Sequence, residues 1–460
     1  MSEAADGRAR MGAGAVLAID FGTTSCAATL ADGARVIQLQ EPGGGVTWPS
    51  AVFLDDGLPV VGAAAANRRR LRPAAFRDEL KTYLGQTEPI VLGGRPMPVR
   101  VLVGLLLQAI RQEAERVHGA RIGRCVLTVP AAYGPADLRS AALLAAADSA
   151  GLVAPQLLPE PVAAALAPVT GEPLPPGATV LVYDFGGGTF DAALVRLASG
   201  DQSHRVLGTA ALDDCGGRDL DAAVLADLRS TGGAALTAVL DPGPDAAPGA
   251  RLTAARDAME FAELARHLKH RAAAEVAPSD YFRPADLVLE LSQHRLRTLA
   301  QPLIERTTGC CRELLDTVAP GHVAAVVLVG GSSRLPGLSE HLARTLGLPL
   351  RHTEDPQTAV ARGAVGWATG GAGLTAWSQA AYPGREPLSW QLPPGRATVL
   401  EWRFGVGRRF APGDVLGRAR AANGVIVDLA ATEGGTVRAQ HADPGAEVRS
   451  GDWLLTVERD

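Results

Sequence analysis

The chain has 460 residues, of which 47% are hydrophobic and 20% charged, and its formal net charge is −5 at pH 7. This length exceeds one ordinary hydrophobic core and predicts two to four structural units, while the small negative charge gives no reason to expect nucleic acid or an anionic membrane as a partner. Apolar runs stay well short of the ~20 residues that span a bilayer, and residues 1–15 lack the apolar stretch of a signal peptide, so we expect a cytoplasmic protein without membrane contact.

The cysteines, histidines and lysines indicate which kinds of functional site the chain can form. Five cysteines include no Cys-x-x-Cys pair, and the histidines lack the spacing of metal ligands, which predicts reduced thiols and no metal cage made of protein alone. Among the 44 basic side chains the only lysines are Lys81 and Lys269. A general preference for arginine explains the other basic residues but not these two exceptions.

The N-terminal region opens with a strand, a glycine turn and a second strand. The apolar run 16–20 leads into Phe21-Gly22-Thr23-Thr24, and alternating residues follow to a turn at Asp32-Gly33. Apolar periodicity and flanking glycines then predict three more elements. These are a helix over 101–118 that ends at Gly119, a strand over 125–129, and a helix over 135–150.

The opening pattern then returns. An apolar strand over 180–184 leads into Phe185-Gly186-Gly187-Gly188-Thr189, and Asp191 begins an alternating strand. Two such copies predict a duplicated α/β architecture with a cleft between its halves. A third turn, Gly330-Gly331-Ser332-Ser333-Arg334, follows an apolar run at 326–329.

The sequence after the third turn changes in character. One helix is predicted with Pro336 in its first turn, and a second is capped by Asp355 and carries Gly363 and Gly366 for close backbone approach. Residues 371–397 are rich in Gly, Pro, Ser and Trp and have no periodicity, which is typical of a linker. Residues 398–460 contain short strand-like runs separated by turns, which predicts a small all-β domain.

The glycine turns have the composition of an anion site. Backbone N–H groups in such turns converge on phosphate, threonine hydroxyls add donors, and a carboxylate at a strand end holds hydrated magnesium. The order of the motifs resembles the nucleotide-binding domain of the seventy-kilodalton heat-shock (DnaK-type) chaperones, through Asp20–Thr24, Asp184–Asp191, Glu160-Pro161 and residues 327–336. The resemblance implies an α/β fold with a duplicated actin-like (ribonuclease H-like) two-lobed ATPase core. The implied boundaries are 15–370 for the core, about 15–180 for lobe I and about 181–370 for lobe II.

The resemblance also implies ATP or ADP and Mg²⁺ as cofactors, and assigns roles to individual residues. Asp20 and Asp184 would hold Mg²⁺ through water. Lys81 would lie near the γ-phosphate, where a compact ammonium fits better than a planar guanidinium. Glu160 and Asp191 would help to position the metal ion and the attacking water. Thr189 would complete the catalytic set with these two residues, Lys81 and Asp184.

The implied nucleotide contacts fall on the three turns and on one helix. Glu263 and Arg266 match the adenosine-binding helix, which leaves Lys269 to solvent. Pro130 and Arg139 match the pair that relays nucleotide state to the rest of a chaperone. The full set of implied nucleotide contacts is Gly22, Thr23, Thr24, Gly186, Gly187, Gly188, Gly216, Gly217, Glu263, Arg266, Gly330, Gly331, Ser332 and Arg334.

The C-terminal region departs from the chaperone pattern. The 90 residues after 370 hold neither the usual linker motif nor room for a peptide-binding sandwich and lid. Residues 398–460 resemble a biotinyl/lipoyl domain instead, but the chain has no lysine after position 269, and the turn near Asn423-Gly424 therefore carries neither cofactor. We expect a docking module for a protein client or partner, with a co-chaperone possible.

Three functions remain open from the sequence. The first is slow ATP hydrolysis that switches a chaperone-like protein interaction. The second is a nucleotide-gated scaffold that does not hydrolyse ATP, although the acidic residues and Lys81 favour hydrolysis. The third is a small-molecule kinase of the same superfamily, for which no additional carboxylate is evident to activate a hydroxyl group.

Overall fold

The computed structural model describes residues 14–33, 35–134, 137–199, 203–318, 322–369, 377–378, 385–390, 392–393, 396–440, 442, 444–449 and 453–459. The α-helices in these ranges are α1 (Gly62–Ala66), α2 (Val99–His118), α3 (Leu138–Ser149), α4 (Glu160–Ala165), α5 (Gly217–Leu240), α6 (Pro248–Ala272), α7 (Gln293–Val318), α8 (Leu338–Leu346) and α9 (Ala359–Thr369).

The strands up to the third glycine turn and its following helix are β1 (Val16–Phe21), β2 (Ser25–Asp32), β3 (Arg35–Gln38), β4 (Thr47–Pro49), β5 (Val52–Asp55), β6 (Leu58–Val61), β7 (Phe76–Arg77), β8 (Ile90–Leu92), β9 (Arg95–Met97), β10 (Arg124–Val129), β11 (Pro155–Pro159), β12 (Thr179–Phe185), β13 (Phe190–Arg196), β14 (Arg205–Leu212), β15 (Ser279–Phe282), β16 (Leu287–Glu290), β17 (Val323–Val329) and β18 (Leu350–His352). The remaining strands are β19 (Trp377–Ser378), β20 (Arg385–Ser389), β21 (Arg396–Trp402), β22 (Arg409–Phe410), β23 (Val415–Ala421), β24 (Ile426–Ala430), β25 (Gly435–Gln440), β26 (Glu447–Arg449) and β27 (Trp453–Arg459).

Two mixed sheets that share a five-strand arrangement form the centre of the molecule. In the first, which defines lobe I, the order is β19-β11-β10-β1-β2-β3, and β4 also pairs with β2. In the second, which defines lobe II, the order is β14-β13-β12-β17-β18. In each sheet one strand pairs antiparallel with its successor on one side and parallel with a later strand on the other. The ends of β1 and β12, where Asp20 and Asp184 stand, therefore occupy equivalent positions.

Two helices fill the space between the sheets. α4 and α9 pack on each other within one apolar cluster that also includes Ala18 from lobe I and Val182 from lobe II. A Cβ on Gly363 would lie 1.8 Å from the carbonyl oxygen of Ala163, so only glycine fits there. The predicted close approach is confirmed at Gly363, whereas a Cβ on Gly366 would meet its nearest neighbour at 3.8 Å.

Two of the predicted helix starts are wrong by two or more residues. α8 begins at Leu338 and not at Pro336, because Gly331–Arg334 forms a 3₁₀ turn and Gly337 takes a left-handed conformation with φ 88°. α9 begins at Ala359, four residues after Asp355. α3 begins at Leu138, where the Asp137 carboxylate accepts a hydrogen bond from the Arg139 N–H, and the predicted start at 135 lies outside the described residues.

Helix α5 has the length and apolar composition of a membrane-spanning helix. Its contacts place it in the wall of lobe II instead. Leu220, Val224 and Leu228 are buried in the lobe II core, and the backbone leaves helical geometry at Gly233, with φ 56° and ψ −137°.

The C-terminal strands form two four-stranded sheets with the orders β20-β27-β25-β22 and β24-β23-β21-β26. They confirm a β-rich C-terminal region, with a hairpin between β23 and β24 that turns at Gly424, φ 84°. The predicted boundary at 398 is wrong, because β20 at Arg385–Ser389 pairs with β27 and belongs to the same unit. The expected linker also contains β19, which pairs with β11 at the edge of the lobe I sheet.

Candidate nucleotide-binding site

A cavity of about 710 Å³ lies between the two lobes. It lies at the ends of β1, β12 and β17, where the three glycine turns begin. Most of the residues predicted from the sequence line it, although they come from distant parts of the chain. The predicted residues in its wall are Asp20, Gly22, Thr23, Thr24, Lys81, Glu160, Asp184, Gly186, Gly187, Gly188, Thr189, Asp191, Gly217, Arg266, Gly330, Gly331, Ser332 and Arg334.

The glycine turns are in direct contact with one another, which explains why they need glycine. A Cβ on Gly187 would lie 2.9 Å from Oγ1 of Thr24, across the cleft. A Cβ on Gly216 would lie 2.6 Å from the backbone of Gly188, so the predicted contact residue Gly216 supports the second turn from behind and does not line the cavity. The Ser332 hydroxyl donates to the Gly186 carbonyl at 2.8 Å and ties the third turn to the second.

Lys81 is buried in the cavity wall, beside Glu160 and Asp20. Its Nζ donates to Oε1 of Glu160 at 2.6 Å, and only 8% of the residue is exposed. Burial favours the neutral amine, but the carboxylates of Glu160 and Asp20 outweigh it and raise the pKa of Lys81. The ammonium therefore keeps its charge facing the cavity.

Four carboxylates surround this ammonium, and their charges repel each other. Burial raises the pKa of Asp184 well above its ordinary value, and three neighbouring carboxylates raise it further. Burial and the Glu160 charge raise the pKa of Asp191 to about 6. Burial also raises the pKa of Asp20, against the opposing effect of Lys81 and of a 2.6 Å hydrogen bond from the Thr128 hydroxyl. One ammonium does not neutralise this cluster.

The acidic cluster fits a hydrated divalent cation better than a bare one. Among the described residues, no three carboxylate, imidazole or thiolate groups lie close enough together to ligate a metal ion directly. The carboxylates of the cluster nevertheless repel each other, and a nearby cation would reduce this repulsion. The donor set therefore agrees with Mg²⁺ bound through water at Asp20 and Asp184.

One face of α6 forms the opposite end of the cavity. Arg266, Lys269, His270 and Ala273 line it at helical spacing. The expectation that Lys269 is solvated is wrong, because the residue is 9% exposed and its Nζ lies 2.6 Å from Oδ1 of Asp221. It also donates to the Gly217 carbonyl at 3.2 Å. Both lysines of the chain thus lie in the cavity wall, each against a carboxylate.

Glu263 lies one turn earlier on α6 and outside the cavity wall. Its carboxylate pairs with Arg69 and Arg70 of lobe I, and the Arg70 Nε donates to Oε1 at 3.2 Å. Glu263 therefore joins the two lobes at the mouth of the cleft. The positions of α6 that line the cavity begin three residues later, at Arg266.

Pro130 and Arg139 lie beside the cavity and do not line it. The Arg139 guanidinium stacks 3.8 Å from the ring centre of Tyr133 and pairs with Asp137 at 2.7 Å. Tyr133 is 9% exposed, and the charges of Lys81 and Arg139 lower its pKa while burial raises it more strongly. Tyr133 thus lies within the electrostatic influence of both Lys81 and Arg139, a placement that no sequence motif indicated.

Several residues of the cavity wall were assigned no role from the sequence. Among them, Arg218 and Glu79 pair with each other across the cleft. Arg218 stands in the segment Cys215-Gly216-Gly217-Arg218-Asp219, and one arginine in an arginine-rich chain does not by itself indicate a site.

Comparison with known families gives one match. The model of the family described as Hsp70 protein matches residues 92–373. This range includes the second and third glycine turns, Glu160 and the whole of α6. The first turn and Lys81 precede it, and their assignment depends on the cavity that they share with the matched residues.

Proposed function

This chain belongs to the Hsp70 family, and from that premise we propose that it binds ATP with Mg²⁺, hydrolyses it slowly, and uses its nucleotide state to switch a protein interaction. Members of the family are in general ATPases that bind ATP or ADP with Mg²⁺ and interact with client proteins and co-chaperones. The observation that carries the proposal is the convergence of three glycine turns, Lys81 and the acidic cluster on one interlobe cavity.

The proposal includes a duplicated actin-like core. The equal strand arrangements of the two central sheets support it, because each places an aspartate and a glycine turn at the end of its first strand. α4 and α9 lie packed together between the sheets. A hinge motion between two lobes would need packed helices at this place that move as rigid units.

The chemical step is the attack of water on the γ-phosphorus, with cleavage of its bond to the β–γ bridging oxygen. Asp20 and Asp184 would hold the hydrated Mg²⁺, which neutralises charge on the phosphate oxygens when bound. Glu160 orients the Lys81 ammonium toward the transferred group through their 2.6 Å contact. Asp191, which accepts a hydrogen bond from Thr189 at 3.1 Å, is placed to receive the proton of the attacking water.

The protein interaction is assigned to the C-terminal β unit. It follows the ATPase core, and β19, which precedes its first strand β20, pairs with β11, the strand that leads directly into Glu160. A change at the catalytic carboxylate therefore has a short physical route to the connection between core and tail.

ATP turnover by the full chain tests the proposed function. With Mg²⁺ and no added acceptor, we expect slow phosphate release that EDTA abolishes. ATP binding without phosphate release in water would favour the scaffold, and turnover that begins only when a small hydroxyl compound is added would favour the kinase. A parent protein that binds neither ATP nor ADP would overturn the proposal.

A further inference from the structure

Arg218 lies directly against the second phosphate turn. It is the second residue of α5, and its backbone N–H donates to the Gly187 carbonyl at 2.8 Å. A Cβ on Gly188 would lie 2.6 Å from Nη2 of Arg218 and 3.1 Å from its Cζ, so the guanidinium covers the face of that glycine. The side chain thus places a permanent positive charge beside the backbone that is proposed to hold phosphate.

The partner of Arg218 comes from the opposite lobe. Its Nη1 pairs with Oε1 of Glu79, two residues before Lys81 in the chain. Glu79 has a left-handed backbone, φ 55°, which is uncommon for a residue other than glycine, and such conformations are concentrated at functional sites. Both side chains line the cavity and stay partly open to solvent, 39% for Arg218 and 27% for Glu79.

The chemistry of this pair suits exchange between two anions. A guanidinium matches a phosphate with two parallel hydrogen bonds, and a doubly charged terminal phosphate attracts it more strongly than a single carboxylate does. Solvent screens a partly exposed Arg–carboxylate pair, so replacing the carboxylate with a phosphate requires little free energy.

We propose that Arg218 leaves Glu79 when ATP binds and contacts the γ-phosphate, and that Glu79 holds the guanidinium in place while the site lacks that phosphate. This inference rests on the proposed ATP-binding function. It adds a second cation to the γ-phosphate site, supplied by lobe II, opposite Lys81 of lobe I. In the transition state the guanidinium would stabilise charge on the transferred phosphoryl group.

The opposing interpretation is a structural brace between the lobes, and the two make different predictions for Glu79. If the pair only braces the cleft, Glu79→Ala and Arg218→Ala weaken nucleotide binding alike. If Glu79 competes with phosphate for Arg218, Glu79→Ala strengthens ATP binding and Arg218→Ala weakens it.

Equilibrium binding of Mg-ATP and Mg-ADP to the full chain, with single-turnover hydrolysis, separates these cases. We expect Arg218→Ala to weaken ATP binding about tenfold with ADP binding within about threefold of the parent, and to slow hydrolysis by about 10²–10³. Arg218→Lys should recover part of the rate, and Glu79→Ala should bind ATP several-fold more tightly with unchanged ADP affinity. Arg229→Ala is the matched control, because Arg229 lies on the same helix and pairs with Asp241 on the surface.

Equal weakening of ATP and ADP binding by Arg218→Ala, or weaker ATP binding in Glu79→Ala, would overturn the inference while leaving the proposed function intact. The Glu79 variant tests the inference even if an Arg218 variant folds poorly. A parent chain that binds no nucleotide would remove the proposed function and this inference together.

Discussion

Under the proposed function, Lys81 should matter little for ATP binding and greatly for the chemical step. The glycine turns and the α6 face would provide most of the ground-state contacts with ATP, whereas the buried ammonium would face the position where charge develops. We therefore expect Lys81→Ala to slow single-turnover hydrolysis by about 10²–10³ and to leave ATP affinity within a few-fold of the parent. Lys81→Arg should recover little, because a planar guanidinium does not fit the space of a compact ammonium. Hydrolysis of ATP by the Ala variant at the parent rate would show that Lys81 is not catalytic.

The repulsion among the site carboxylates should be measurable as a pH dependence of stability. The pKa of Asp191 in the folded chain, about 6, exceeds the ordinary value of 3.8. The folded state therefore keeps a proton that the unfolded chain releases, and the stability of the nucleotide-free protein falls as pH rises from about 4 to above 6. Asp191→Asn should raise the melting temperature by a few degrees at pH 7.5 and by clearly less at pH 4.5, where the folded carboxyl group is still protonated.

The control for this comparison is Asp56→Asn, whose side chain is 89% exposed in lobe I. It should leave the melting temperature unchanged at both pH values. Adding Mg²⁺ should reduce the advantage of Asp191→Asn at pH 7.5, because the cation relieves the same repulsion. An Asn variant that is less stable than the parent at pH 7.5 would contradict the electrostatic explanation.

The two lysines show what the sequence could and could not reveal about single residues. The retention of lysine at position 81 in an arginine-rich chain predicts a special environment for that residue. The same argument would have identified Lys269, which is equally buried in the cavity wall. The family resemblance placed Glu263 among the nucleotide contacts, but it lies one helical turn before the positions of α6 that line the cavity. Only the fold shows that Glu263 faces Arg69 and Arg70 instead of the cavity.

At the scale of elements, the contact between α4 and α9 offers a test of the packing between the sheets. Gly363→Ala would place a methyl group 1.8 Å from the Ala163 carbonyl oxygen, so the helices must separate. We expect a loss of about 1–3 kcal/mol in the free energy of unfolding, and slower hydrolysis because Glu160 begins α4. Gly366→Ala on the same helix meets its nearest atom at 3.8 Å and should be neutral or up to about 1 kcal/mol stabilising. Urea unfolding of both variants provides the measurement, and equal midpoints would show that the helices are not tightly packed.

Elements with a strong period or motif were predictable, and those without one were not. The apolar strands before each glycine turn and helix α2, which ends at Gly119 with φ 79°, could be located from the sequence. The start of α8 was misplaced because Pro336 suggested a first helical turn, whereas the chain first completes a 3₁₀ turn around Ser333. β20 was missed because its identity as a strand comes from pairing with β27, about 70 residues later, and not from its own short sequence.

At the scale of the whole molecule, the sequence could place three anion-binding turns in order but not the contacts that join the lobes. Such contacts link residues nearly 200 positions apart, as between Arg69 and Glu263, and no local pattern encodes them. The cavity itself could be inferred from the motifs, since the strands that precede the glycine turns end at the same cleft in two sheets that share a five-strand arrangement. The positive charge that Arg218 of lobe II brings to the cavity wall could not be inferred from the motifs.

The Glu263 bridge should control how fast nucleotide leaves the cleft. Its carboxylate pairs with both Arg69 and Arg70 and is 40% exposed, so solvent screening limits each pair to about 0.2–1 kcal/mol. Removing both pairs with Glu263→Ala should therefore accelerate dissociation of labelled ADP about three- to tenfold, with single-turnover hydrolysis nearly unchanged, because Glu263 does not line the cavity. High salt should speed dissociation from the parent toward the rate of the variant and affect the variant little. Glu275→Ala is the matched control, since Glu275 pairs with Arg271 within lobe II. Equal dissociation rates for parent and Glu263→Ala at low salt would show that the bridge does not hold the cleft closed.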